Sequence, residues 1–139
     1  MQTTLEDFAE ILIDGKIYNF TKEEYARYLV DKHLKNCEII YVEKADYLGL
    51  SVQWNNSDRK LIKFNKIAKN LFTFSEWKQL VLHEVAHHLV PHSSNHDYKY
   101  QKKAMEIGVN FENTTIKFKG APFWKVAVAI DYNKRKRNV

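Results

Sequence analysis

Apolar residues recur at helical spacing in four stretches of this chain, and in alternation or short runs in three others. Leu5, Phe8, Ile11 and Leu12 fall three and four apart with Gly15 beyond them, predicting a first helix from Thr4 to about Ile13. A second begins at Thr21, where Thr21-Lys22-Glu23-Glu24 has the form of a capping box, and Tyr25, Tyr28, Leu29 and Leu34 carry a buried stripe up to Asn36. The pattern then changes to short β-branched or aromatic runs, from Cys37 to Val42, Leu48 to Trp54 and Lys60 to Asn65. Polar residues separate them, most clearly Asn55-Asn56-Ser57-Asp58, so a small antiparallel meander is expected. Helical spacing returns from Ser75, a good N-cap, to Val90: Trp77, Val81 and Val85 with Leu82, Ala86 and Leu89 form an apolar arc, and Pro91 stops it. After a polar loop, a last helix runs from about Asp97 to Ile107, buries Tyr100, Ala104 and Ile107, and ends at Gly108. Thr114 to Phe118 and Pro122 to Ile130 read equally as strand or short helix.

These elements make an α+β domain: N-terminal helices, a small antiparallel sheet, a helix over residues 75–90 and a following helix. At 139 residues the chain is expected to form one domain over residues 1–132, with a basic, disordered tail over 133–139. Cys37 is the only cysteine, which excludes a disulfide framework and any cysteine-rich zinc module and fits a reducing, cytoplasmic setting. No run approaches 18 apolar residues, and Glu6, Asp7 and Glu10 are unlike the start of a signal peptide, so neither a membrane nor export is expected.

Candidate chemistry sits on the third predicted helix. Five of the six histidines fall between positions 83 and 96, and His83-Glu84-Val85-Ala86-His87 has the form H-E-x-x-H. Residues four apart on a helix share a face, so both imidazoles can reach one metal ion. Zn²⁺ accepts imidazole nitrogen readily, and three protein ligands leave a position for a water whose pKa the metal lowers. Glu84 beside that water can act as general base. A chance match of this form is expected roughly once in a hundred such sequences, and the helical context makes coincidence rarer. At about 100° per residue, His83 and His87 fall on the side that the apolar arc leaves free, with Glu84 at its margin.

A zinc site needs a third ligand. His88 points toward the Trp77 and Val81 side and reads as packing or surface; His92 follows the helix-ending proline closely; Asp97 stands next to His96. His96 is favoured over His92 because the loop before it is long enough to double back. With His96 the chain resembles the SprT-like metallopeptidases, the group of the Spartan-type proteases of DNA–protein crosslink repair. The residues that carry the resemblance are His83-Glu84-x-x-His87, then His96-Asp97-Tyr98-Lys99-Tyr100, with Ala104, Ile107 and Gly108 continuing as such helices do, over roughly residues 21–110. The segment Leu61-Ile62-Lys63-Phe64-Asn65 also resembles the family's edge strand. The resemblance implies a minimal zincin-like fold, Zn²⁺ held by His83, His87 and His96, and peptide hydrolysis with Glu84 as catalytic base. Substrate would pair with the strand at 61–65, and Tyr98 or Tyr100 is a candidate oxyanion donor, although packing suits both better. Two departures stand out: Asp97 replaces the usual glycine after the third histidine, and, with Cys37 the only cysteine, no zinc ribbon is expected after the domain.

Charge adds a second reading. Residues 1–57 carry 6 Lys/Arg against 10 Asp/Glu, residues 58–103 carry 9 against 4, and the tail adds Lys134, Arg135, Lys136 and Arg137. The basic segment 59–69 and the tail 134–137 would suit nucleic acid, although a solvated face accounts for the same lysines. The expected function is therefore zinc-dependent cleavage of protein substrates, among them DNA-associated ones. The alternative is a nucleic-acid-associated binding protein whose zinc site is structural or vestigial.

Overall fold

A computed structural model describes residues 8–43, 47–91 and 97–109. The chain opens with a hairpin, β1 (Phe8–Ile13) and β2 (Lys16–Thr21), where sequence spacing predicts a helix. Asp14 and Gly15 sit at φ 49° and 81°, the pair of positive values that a tight hairpin turn requires. Gly15 therefore turns a hairpin instead of ending a helix. Burial alternates along β1, with Ala9, Ile11 and Ile13 partly covered and Phe8, Glu10 and Leu12 exposed, so strand period overrides the three-and-four spacing of its apolar residues. The proposed start of that helix, Thr4, lies outside the described residues.

Helix α1 (Lys22–His33) begins at the predicted capping box: the Thr21 hydroxyl accepts from the Glu24 amide, and the Glu24 carboxylate accepts from the Thr21 amide. Tyr25, Ala26, Leu29 and Val30 are buried, and Phe20 of β2 stacks on the rings of Tyr25 and Tyr28 at 6.0 and 5.9 Å.

Strands β3 (Cys37–Val42), β4 (Gly49–Gln53) and β5 (Lys60–Asn65) fall where the sequence places them but pair differently from a meander. The order is β3-β5-β4, with β3 parallel and β4 antiparallel to β5. The segment expected at an edge is thus the centre of the sheet. Its composition explains why: Leu61, Ile62 and Phe64 are all buried, and a strand apolar on both faces gains most where both faces are covered. The rows facing the helices run Tyr41, Phe64, Gly49 and Ile39, Ile62, Ser51, so the inner face passes from large and apolar on β3 to small and polar on β4.

A short helix, α2 (Lys66–Leu71), intervenes before the histidine helix, which does not follow the sheet directly. Asn65 caps α2 by accepting from the amides of Ile67 and Ala68, and its side-chain amide donates to the Tyr47 carbonyl at the entry to β4. Helix α3 (Phe74–His88) is capped by Thr73 in a second capping box with Glu76, two residues before the expected Ser75. All seven residues from 80 to 86 are buried, so α3 is the central helix of the domain. Trp77 lies 4.9 Å from Phe64, ring to ring, and its Nε1 donates to the Lys22 carbonyl. Lys22 in turn sends its buried ammonium to the carbonyls of Lys69 and Phe72, at the end of α2. Helix α4 (Tyr98–Glu106) packs on α3 through Tyr100 and Ala104, and Gly108, at φ 108°, follows its C-cap.

Candidate active site

Helix periodicity brings His83 and His87 together: their ring centroids are 5.2 Å apart, and His83 Nε2 lies 4.0 Å from Glu84 Oε2. The face they occupy is not the open one that the apolar arc suggests. His83 and Glu84 are only 6% and 5% exposed: Tyr100 of α4 lies against His83, and β4 closes over Glu84. The Ser51 hydroxyl lies 2.8 Å from the Glu84 carbonyl and 3.0 Å from its Oε1. At the other end of β4 the Gln53 amide donates to the His87 carbonyl and meets His88 Nδ1, both at 3.2 Å. His88 Nε2 reaches the Leu61 carbonyl at 3.2 Å, so His88 ties α3 to the sheet, the buried one of the two places, packing or surface, expected for it.

On the opposite side Tyr100 supports the pair. Its hydroxyl donates to the His83 carbonyl at 3.0 Å, its ring stacks on His87 at 4.4 Å and meets His83 edge-on at 5.5 Å. Tyr100 is fully buried and Tyr98 is exposed, so Tyr100 orients the histidines and Tyr98 packs against little. Burial pushes the Glu84 carboxyl up to about 7, opposed by the Ser51 hydrogen bond. Burial, with the Glu84 charge adding to it, also pushes the Tyr100 phenol up.

Two imidazoles one turn apart beside a buried carboxylate are a donor set that fits Zn²⁺, and two histidines alone do not complete it. Among the described residues no group of three His, Cys, Asp or Glu is placed to hold a metal ion. His92 and His96 lie outside the described residues, so the third ligand does too if either supplies it. Asp97 is described: it is the N-cap of α4, and its carboxylate accepts from the Tyr100 amide at 3.0 Å. That gives Asp97 a local purpose, because Asp is among the best N-caps.

The basic segment is largely met from within. Arg59 pairs with Glu38 at 2.9 Å, Lys69 with Glu23 at 2.8 Å and Lys66 with Glu43 at 3.6 Å, each acid coming from the acidic first part of the chain. The charge asymmetry along the sequence is thus in part a complementarity in space. Sequence reading missed Gly49, Ser51 and Gln53; the available signal was a strand presenting glycine, serine and glutamine on one face where β-branched residues are usual. Among the described residues no helix is long and apolar enough to cross a membrane.

A scan against protein-family models finds no match, and searches of curated proteins and of solved structures find none either.

Proposed function

We propose that the chain is a zinc-dependent endopeptidase with a minimal zincin-like domain, His83, His87 and His96 holding the metal and Glu84 acting as general base. The observation that carries this reading is the placement of Glu84: its Oε2 lies 4.0 Å from His83 Nε2, beside a histidine pair on one face of a rigid, central helix. Zinc, when bound, polarises the scissile carbonyl and acidifies water at its open position. Glu84 takes a proton from the attacking water and delivers it to the leaving amine, and a carboxyl pushed toward neutrality by burial suits both steps. Tyr100 and the helix backbone keep the imidazoles in place. With β5 inside the sheet, the edge strand on this side among the described residues is β4, which flanks Glu84 and would pair with an extended substrate. The resemblance to SprT-like metallopeptidases agrees with this assignment and names DNA-associated proteins as a substrate class.

The decisive comparison is between zinc content and hydrolysis of an unfolded protein such as casein. Glu84→Gln keeps the zinc and loses hydrolysis; hydrolysis that survives Glu84→Gln rules the reading out. His96→Ala lowers zinc content sharply and His92→Ala hardly at all, and the reverse order moves the third ligand to His92.

The nucleic-acid reading has less support, since Arg59, Lys66 and Lys69 already face glutamates. If residues 59–69 and 134–137 do serve a polyanion, log affinity for DNA falls linearly with log salt, and truncation after Asn133 lowers the slope. No binding at low salt removes that role and leaves the peptidase standing.

A further inference from the structure

Strand β4 passes so close to α3 that Glu84 is wedged between two of its residues. A Cβ added to Gly49 would lie 2.8 Å from Glu84 Cγ and 2.9 Å from Oε2, inside any tolerable contact, so only glycine lets the carboxyl occupy its place. Two residues on, and therefore on the same face of the strand, Ser51 brings its hydroxyl to Glu84 Oε1 at 3.0 Å and to the Glu84 carbonyl at 2.8 Å. Among the described residues Ser51 is the hydrogen-bond partner of this carboxyl, and a buried carboxyl without one is costly. The two oxygens are thereby made different. Oε1 is tied to the strand, and Oε2 is the one turned toward His83, 4.0 Å from its Nε2.

We propose that Gly49 and Ser51 are positioning residues that hold Glu84 in a single working rotamer, Ser51 anchoring Oε1 so that Oε2 alone exchanges the proton. The proposal rests on the peptidase reading for its catalytic meaning, but the wedge itself is a property of the fold. It also makes β4 serve two ends of the same reaction, since the strand beside which substrate would lie is the strand that fixes the base. Register between substrate and carboxyl is then set by one short segment of backbone.

The test uses the full chain loaded with zinc, casein as substrate, and melting temperature and zinc content as readouts independent of turnover. Ser51→Ala is expected to lower kcat ten- to a hundredfold with KM and zinc stoichiometry within twofold of the parent, and Ser51→Thr, which keeps the hydroxyl, to recover most of it. Unchanged kcat in Ser51→Ala, or a loss that tracks zinc content and that Ser51→Thr does not rescue, overturns the positioning role. Gly49→Ala is expected to lower the melting temperature by several degrees and to lose kcat, because the buried Glu84 side chain must move. Combined with Glu84→Ala, which removes the atoms it strikes, the Gly49→Ala penalty in melting temperature disappears. If it persists undiminished in that background, the wedge is wrong whether or not the protein cuts peptides. Where the parent cleaves nothing but the penalty is relieved and Ser51→Ala loses stability only when Glu84 is present, the positioning stands and only the peptidase reading falls.

Discussion

Helix α3 has two unlike flanks. Toward α1 and the middle of the sheet it presents Trp77, Leu80, Val81 and Val85, all essentially without exposure, against Leu29, Val30, Ile62 and Phe64. Toward β4 it presents Glu84, His87 and His88, met by Ser51 and Gln53. Apolar contact is non-directional and stabilises in proportion to the area removed from water, so the first flank tolerates small shifts. Hydrogen bonds are worth about 1 kcal/mol each net but depend on distance and angle, so the second flank adds little stability and fixes position closely. The stable flank holds the helix, and the directional flank aims what the helix carries.

The largest expected effect lies on the apolar flank. Trp77→Ala should cost about 3–5 kcal/mol in urea denaturation, through a cavity beside Phe64 and the loss of the bond to the Lys22 carbonyl. A cost under about 1 kcal/mol would mean that α3 is not the helix on which the core is built.

Next comes the polar flank, where the sign reverses. In zinc-free protein the Glu84 carboxyl, at about 7 instead of 4.5, brings a burial penalty that is absent below pH 4.5 and grows as pH rises to 7. Glu84→Gln does not titrate. It should therefore match the parent near pH 4.5 and exceed it by up to about 3 kcal/mol at about pH 8, read as denaturation midpoints along a pH series. A difference that stays constant with pH would show that water reaches the carboxylate. Gain of stability on removing a charged group, with loss of hydrolysis, is the expected mark of a site maintained for chemistry.

Smaller effects sharpen the boundary between the flanks. Thr73→Ala removes a cap and should cost about 1 kcal/mol, while Ser75→Ala, two residues later and exposed, should leave the midpoint unchanged. Least of all, Glu38→Gln at the solvated Arg59 pair should not move the melting temperature measurably, since both partners remain hydrated. A clear shift there would promote the acidic-to-basic pairing from surface decoration to part of the fold.

Some of this could be read directly from residue order because its causes are local. A capping box such as Thr21 to Glu24 is satisfied within four residues, and the shared face of His83 and His87 follows from helix geometry alone. The three strands and the last helix were found for the same reason. The hairpin's signal is also local but ambiguous: Asp14-Gly15 between apolar runs is a turn, but Gly15 ends a helix equally well, and the spacing of Leu5, Phe8, Ile11 and Leu12 favours the helix.

What the sequence determined by itself was the set of elements with strong local signatures and the shared helix face of His83 and His87. What only the tertiary structure decided was who lies next to whom. The apolar composition of β5 on both faces suits a central place but does not assign one, because the place depends on which long-range pairing buries more, and β5 went to the middle on that ground. Likewise Ser51 and Glu84, 33 residues apart in sequence, meet because the sheet and α3 pack through a core neither contains, and no spacing rule encodes that meeting.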